Sequence, residues 1–135
     1  MKAKKSFGQH FLASEPIAER IAESLIGGGL YDQVLEVGPG KGALTKFLLQ
    51  KEYSLKAVEA DQDMVGFLGK HFPALEGRII EGDFLKLRLD EVMGGRPFAL
   101  IGNFPYNISS QILFNVLDYR NMVPEVMGMV QKEFI

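Results

Sequence analysis

Hydrophobic positions along this chain follow two alternating rhythms. Short, nearly unbroken apolar runs at 33–37, 55–60, 78–81, 97–102 and 125–130 predict buried strands. Between them, apolar residues return at helical spacing. The first such stretch opens a helix at Ser14 or Glu15, with Pro16 in the first turn, where its missing N–H does no harm. Ile17, Ala18, Ile21, Ala22, Leu25 and Ile26 form its buried face, Glu19, Arg20 and Glu23 its wet one, and Gly27, Gly28 and Gly29 end it. A second helix follows the turn Gly38-Pro39-Gly40-Lys41-Gly42, with Leu44, Phe47 and Leu48 as its stripe. A third spans 62–71, weakened at Gly66 and Gly69 by about 1 kcal/mol each relative to Ala. A helical turn at 89–93 precedes Gly94 and Gly95, and Ser109 or Ser110 caps a last helix with Ile112, Leu113, Val116 and Leu117 on one face. Strands alternating with helices predict an α/β fold, a doubly wound, mostly parallel sheet with right-handed crossovers and helices on both faces.

Ligands of such sheets bind at the carboxyl ends of the strands. The unusual polar residues fall there: the glycine turn after the first strand, Glu59 and Asp61 after the second, Asp83 after the third and Asn103 after the fourth. Gly38, Gly40 and Gly42 let the backbone turn sharply and approach a ligand without side chains in the way. Glu59 ends the next strand, where a carboxylate can accept hydrogen bonds from both hydroxyls of a ribose. The glycines are spaced G-x-G-x-G, and Pro39 stands where a dinucleotide-binding turn wants donors for a pyrophosphate, so a nucleoside without phosphates fits better than NAD. Asp83 offers an acceptor for an adenine amino group and Phe84 a ring to lie against its face; alone, Asp83 reads better as a turn residue. Together these residues describe S-adenosylmethionine, its sulfonium near the glycine turn and its methyl toward Asn103.

From Pro97 through Leu117 there is no Asp, Glu, Lys, Arg or His. Chemistry in this stretch therefore rests on an amide, a proline-constrained backbone and an aromatic ring. Asn103 can accept a hydrogen bond from an amine through its side-chain oxygen, the Phe104 carbonyl can accept a second, and Tyr106 can stack on a flat heterocycle. That trio suits an exocyclic amino group on a nucleobase. An Asx-Pro turn with Tyr106 merely packed fits the tetrapeptide equally well, and only the upstream residues favour the site.

Composition narrows the classes. At 135 residues the chain is one domain, and 47% hydrophobic with 24% charged residues is ordinary for a globular protein. The absence of cysteine excludes disulfides, thiolate metal sites and a Cys nucleophile, and His10 and His71 lie too far apart in sequence to argue for a metal. No apolar run is long enough to span a bilayer and no signal-peptide core follows the first residues, which predicts a cytoplasmic protein with no membrane partner. A net charge of −2 is not the footprint of a bulk electrostatic clamp on nucleic acid. The one local candidate is the arm Lys2, Lys4 and Lys5 with Phe7, which by itself reads as a solvated tail.

The segments 4–12, 36–45, 58–61, 81–83, 102–109 and 131–134 resemble, in order, the successive motifs of the ribosomal RNA adenine dimethyltransferases, with the small-subunit enzymes of KsgA type as the nearest members. The resemblance implies a Rossmann-like class I methyltransferase fold. It also implies that His10, Leu12, Gly38, Glu59, Asp83 and Asn103 sit at cofactor-contacting positions, and that Asn103 and Tyr106 belong to the catalytic motif. Phe104 stands where the family more often has leucine or isoleucine; the family uses this residue's backbone carbonyl, so the change is expected to be tolerated. The implied partners are small-subunit ribosomal RNA and the pre-ribosomal subunit, not DNA, with the full-length protein a monomer. Residues 1–135 are then expected to be an incomplete catalytic domain with little activity alone, lacking its last strands and a C-terminal helical RNA-binding domain. The apolar edge Val126, Met127, Met129 and Val130 would want a cover. Two competing readings are a methyltransferase acting on DNA bases or glutamine side chains, and a non-catalytic assembly or transcription factor that keeps the fold.

Overall fold

The computed structural model describes residues 14–104 and 108–130. Five strands, β1 (Gln33–Val37), β2 (Ser54–Glu59), β3 (Ile79–Glu81), β4 (Ala99–Phe104) and β5 (Glu125–Val130), form one sheet in the order β3-β2-β1-β4-β5. Every pairing is parallel. Helix α1 (Glu15–Glu23) precedes β1, and the connections carry α2 (Thr45–Leu48), α3 (Gln62–His71), α4 (Leu89–Val92) and α5 (Ser109–Leu117), with 3-10 turns at Pro73–Leu75 and Phe84–Lys86. The α/β, doubly wound reading therefore holds. Strand order reverses at the β1–β4 pair, which opens a crevice at the carboxyl ends of those two strands.

Successive side chains of a strand point to opposite faces. Leu35 and Val37 accordingly join Val58, Leu100, Phe104, Ile112 and Val116 in one core, while Val34 joins Ala22, Leu44, Leu48, Leu55 and Ile101 in another. Burial on both faces is why the strands read as unbroken apolar runs instead of alternating ones. No helix among the described residues is long and apolar enough to cross a membrane.

Several boundaries differ from the sequence prediction: β2 lies one residue earlier, β3 starts one later and α4 ends one earlier, and three further elements differ as follows. Helix α1 stops at Glu23, because Ser24 turns both its N–H and its hydroxyl onto the Ile21 carbonyl before the glycines are reached. Leu25 stays buried, but Ile26 is 81% exposed, its N–H held by the Glu125 carboxylate at 3.0 Å. Strand β4 begins and ends two residues later than expected: the Phe98 N–H leaves the ladder for the Met122 carbonyl, and Gly102 continues it, opposite Val37 and Gly128. Asn103 and Phe104 are thus the last residues of the strand, paired with Met129 and Val130, and not a loop beyond it. Helix α5 starts at Ser109 with Ile108 in the capping position and no side-chain cap; of its predicted face Ile112 and Val116 are buried, whereas Leu113 and Leu117 are half exposed.

Candidate active site

The glycine turn begins where β1 ends. Gly38, Gly40 and Gly42 have φ of +65°, +58° and +87°, the left-handed region that side chains disfavour. Two of them are also crowded. A Cβ on Gly38 would lie 3.2 Å from the Asn103 carbonyl oxygen, and one on Gly42 would lie 2.3 Å from the Phe72 ring. Gly102 is tighter still, since a Cβ there would meet the Val37 carbonyl oxygen at 2.2 Å. Glycine at 38 and 102 is what lets the backbones of β1 and β4 close on one another, so the turn and Asn103 share one wall.

Glu59 ties this wall to the next loop. Its Oε1 accepts from the Gly40 N–H at 3.0 Å and its Oε2 from the Asp61 N–H at 3.0 Å. A carboxylate has about four acceptor positions, so both oxygens can still each take a hydroxyl while the two N–H groups hold them still. The Gly82 N–H donates to the Glu59 carbonyl at 2.9 Å, which brings the β3 end alongside. There Asp83 Oδ1 accepts from the Leu85 N–H at 3.0 Å and opens the 3-10 turn. Asp83 is exposed, so both the turn role and an outward-facing acceptor are met by one side chain.

Asn103 completes the rim. Its Oδ1 is buried and has no hydrogen-bond partner among the described residues. An unpaired buried acceptor costs about 1–3 kcal/mol, so the position favours any donor that reaches it. Phe84 is placed differently from the sequence expectation: it is 4% exposed and belongs to the core with Leu89, Met93, Phe98 and Leu100, leaving little ring face for a ligand. Phe104 is likewise core, 2% exposed. A Cβ on Gly128 would lie 2.4 Å from the Phe104 ring, so the larger side chain at 104 is housed by the missing one at 128. Tyr106, His10 and Leu12 lie outside the described residues.

One participant escaped the sequence reading. Glu36, in the middle of β1, is 1% exposed and accepts from Thr45 Oγ1 at 2.6 Å. Burial, with a smaller contribution from the charge of Glu59 and against the Thr45 hydrogen bond, pushes its carboxyl up to about 8. A carboxylate alone among Val34, Leu35 and Val37 was the available signal. Glu36 and Ile101 are register partners, which puts Glu36, Ile101 and Asn103 on the same face of the sheet.

This geometry agrees with the comparisons to known proteins. The sequence profile of a family described as ribosomal RNA adenine dimethylase matches residues 1–135. The chain belongs to that family. It is 52% identical over 133 residues to ribosomal RNA small subunit methyltransferase A of Flavobacterium johnsoniae, covering 98% of this chain and 51% of the relative. It spans about half the length of the curated relatives it matches. Among solved structures it is similar to the 23S rRNA methyltransferase ErmE, with a TM-score of 0.62 and 28% identity over 80% of this chain and 42% of that one. A dimethyladenosine transferase from Plasmodium falciparum gives a TM-score of 0.60 with 26% identity over 80% and 38% of the two chains.

Proposed function

We propose that this chain is the catalytic portion of an S-adenosylmethionine-dependent methyltransferase that dimethylates the exocyclic amine of adenines in small-subunit ribosomal RNA. The observation that carries the reading is the buried Asn103 Oδ1 beside the glycine turn, without a partner among the described residues. S-adenosylmethionine supplies a methyl group on a sulfonium, an electrophile that needs no metal. Gly38 and Gly40 give it backbone approach, Glu59 accepts from the ribose hydroxyls, and Asp83 accepts from its adenine amine.

The target nitrogen is a poor nucleophile because its lone pair is delocalised into the ring. Hydrogen bonds from that amine to Asn103 Oδ1 and the Phe104 carbonyl localise the lone pair and stabilise the positive charge that develops on transfer, which is catalysis by position and electrostatics. No base is needed beforehand, since the amine becomes strongly acidic once methylated and then gives up its proton. Tyr106 stacks on the base, flipped from its helix. His10 and Leu12 extend the cofactor contact. The partner is the pre-ribosomal small subunit in the cytoplasm, and the rest of the full-length protein, acting as a monomer, supplies further RNA contacts.

Calorimetric titration with S-adenosylmethionine tests the cofactor half. Saturable one-to-one binding is expected, and Glu59→Ala should weaken it about 10- to 100-fold, the worth of hydrogen bonds to a charged acceptor. Absence of binding by the unmodified chain overturns the reading. Parallel methylation of ribosomal RNA, DNA and protein by the full-length protein decides the substrate.

A further inference from the structure

The amino-terminal rim of the sheet, opposite the site just described, holds an open cleft of about 480 Å³. Its floor is the start of two strands, Gln33, Ser54 and Lys56, and its walls are the loops carrying Gly77 with Arg78 and Gly94 with Arg96. Three cations and one acid, Glu76, line it. In a chain whose net charge is −2, three cations against one acid make a local surplus of positive charge. Lys56 Nζ donates to the Val92 carbonyl at 2.6 Å and Arg78 donates to the Ser54 hydroxyl, and neither forms an ion pair among the described residues. Only Arg96 does, with Asp32 at 3.0 Å, while its other nitrogen donates to Gln33 Oε1 at 3.3 Å. Neutral acceptors thus hold the arms of Lys56 and Arg78 without cancelling their charge.

We propose that this cleft is a second, phosphate-binding contact for the backbone of the RNA substrate, an inference that rests on the RNA reading above. The cations enter the cleft from three different strands of the rim. Arg78 precedes β3, Lys56 lies in β2 and Arg96 precedes β4, on strands that stand in the order β3-β2-β1-β4. Three inter-strand spacings make a track of about 14 Å, long enough to meet more than one phosphate of a single strand. The Ser54-to-Glu59 length of β2 separates the cleft from the cofactor rim by about 17 Å, so RNA held here is anchored away from the reacting base and contributes binding without touching chemistry.

The test is fluorescence anisotropy of this chain with a fluorescein-labelled RNA hairpin over a salt series. The variants are Lys56→Gln/Arg78→Gln, the charge-reversed Arg78→Glu and the charge-preserving Arg78→Lys, with circular dichroism to check the fold of each. Removing two phosphate contacts should flatten the slope of log affinity against log salt by about 1.4 to 1.8, which is about 25- to 60-fold at 0.1 M salt, with the curves converging toward 1 M. Arg78→Glu should weaken binding alone and Arg78→Lys should preserve it. Unchanged affinity and slope in folded charge variants overturn the proposal, as does an unmodified chain that binds no RNA. If calorimetry finds inorganic phosphate bound at the cleft while RNA affinity is unmoved by the variants, the site serves a small anion and the proposal also fails. S-adenosylmethionine titrated into the same variants separates the two readings: intact cofactor binding with lost RNA affinity supports the cleft, and absent cofactor binding counts against the proposed methyl transfer alone.

Discussion

The two rims of one parallel sheet are built for opposite purposes. At the carboxyl ends, Gly38 and Gly102 bring backbone against backbone, and the polar groups on offer are acceptors: Glu59, Asp83 and Asn103 Oδ1, which has no partner among the described residues. At the amino ends, Gly77 and Gly94 have nothing within 4 Å of a built Cβ, and the groups on offer are the cations Lys56, Arg78 and Arg96. One rim is closed, acceptor-rich and suited to a cationic nucleoside and an amine. The other is open, donor-rich and suited to a polyanion. A net charge of −2 over the whole chain conceals this local contrast.

The sharpest way to break the contrast is to place the same perturbation at both ends. Gly102→Ala drives a Cβ into the Val37 backbone, where neither strand can shift without losing the sheet, and should cost more than about 3 kcal/mol or abolish the cooperative thermal transition. Gly94→Ala should cost only about 1 kcal/mol, for the left-handed backbone, with no steric term. Equal losses in the two melts would show that the rims do not differ in packing.

A finer test concerns the interlock of Phe104 and Gly128. These are diagonal neighbours across β4 and β5, and the ring covers the glycine of an edge strand. Gly128→Ala alone should destabilise by about 1–3 kcal/mol, the range for overpacking. Adding Phe104→Leu shortens the ring side chain and should restore most of that loss in a double-mutant cycle. Additive losses would mean that the two residues are not coupled.

Glu36 gives a graded effect with a definite sign. Its carboxyl titrates near about 4.3 when unfolded and is pushed up to about 8 when folded, so the folded chain holds the proton more tightly. The stability this contributes is fully present below about pH 4 and is lost as the pH rises through about 8, at up to about 1.4 kcal/mol per pH unit. Denaturant melts from pH 5 to pH 8.5 should show this decline, and Glu36→Gln should flatten it. A decline that persists in the variant would assign it to another group.

Much of this was legible without coordinates, because the signals are local. Apolar periodicity distinguishes strand from helix within a few residues, and the limits of α3 and β5 came out as read. Glycines beyond a strand announce a turn wherever the chain goes next, so the glycine turn, Glu59, Asp83 and Asn103 could be assigned to one rim before any strand had a neighbour. The tertiary structure alone decided what depends on who stands opposite. Gly102 looks like a strand terminator, yet it continues β4 because Val37 and Gly128 flank it. Phe84 reads as a ring free for a nucleobase, yet it is drawn into the core by Leu89, Met93 and Phe98. The raised carboxyl of Glu36, the seat of Phe104 on Gly128 and the row of cations across three strands all arise from contacts between residues distant in sequence. Such contacts are fixed by strand order and register, which no local pattern encodes.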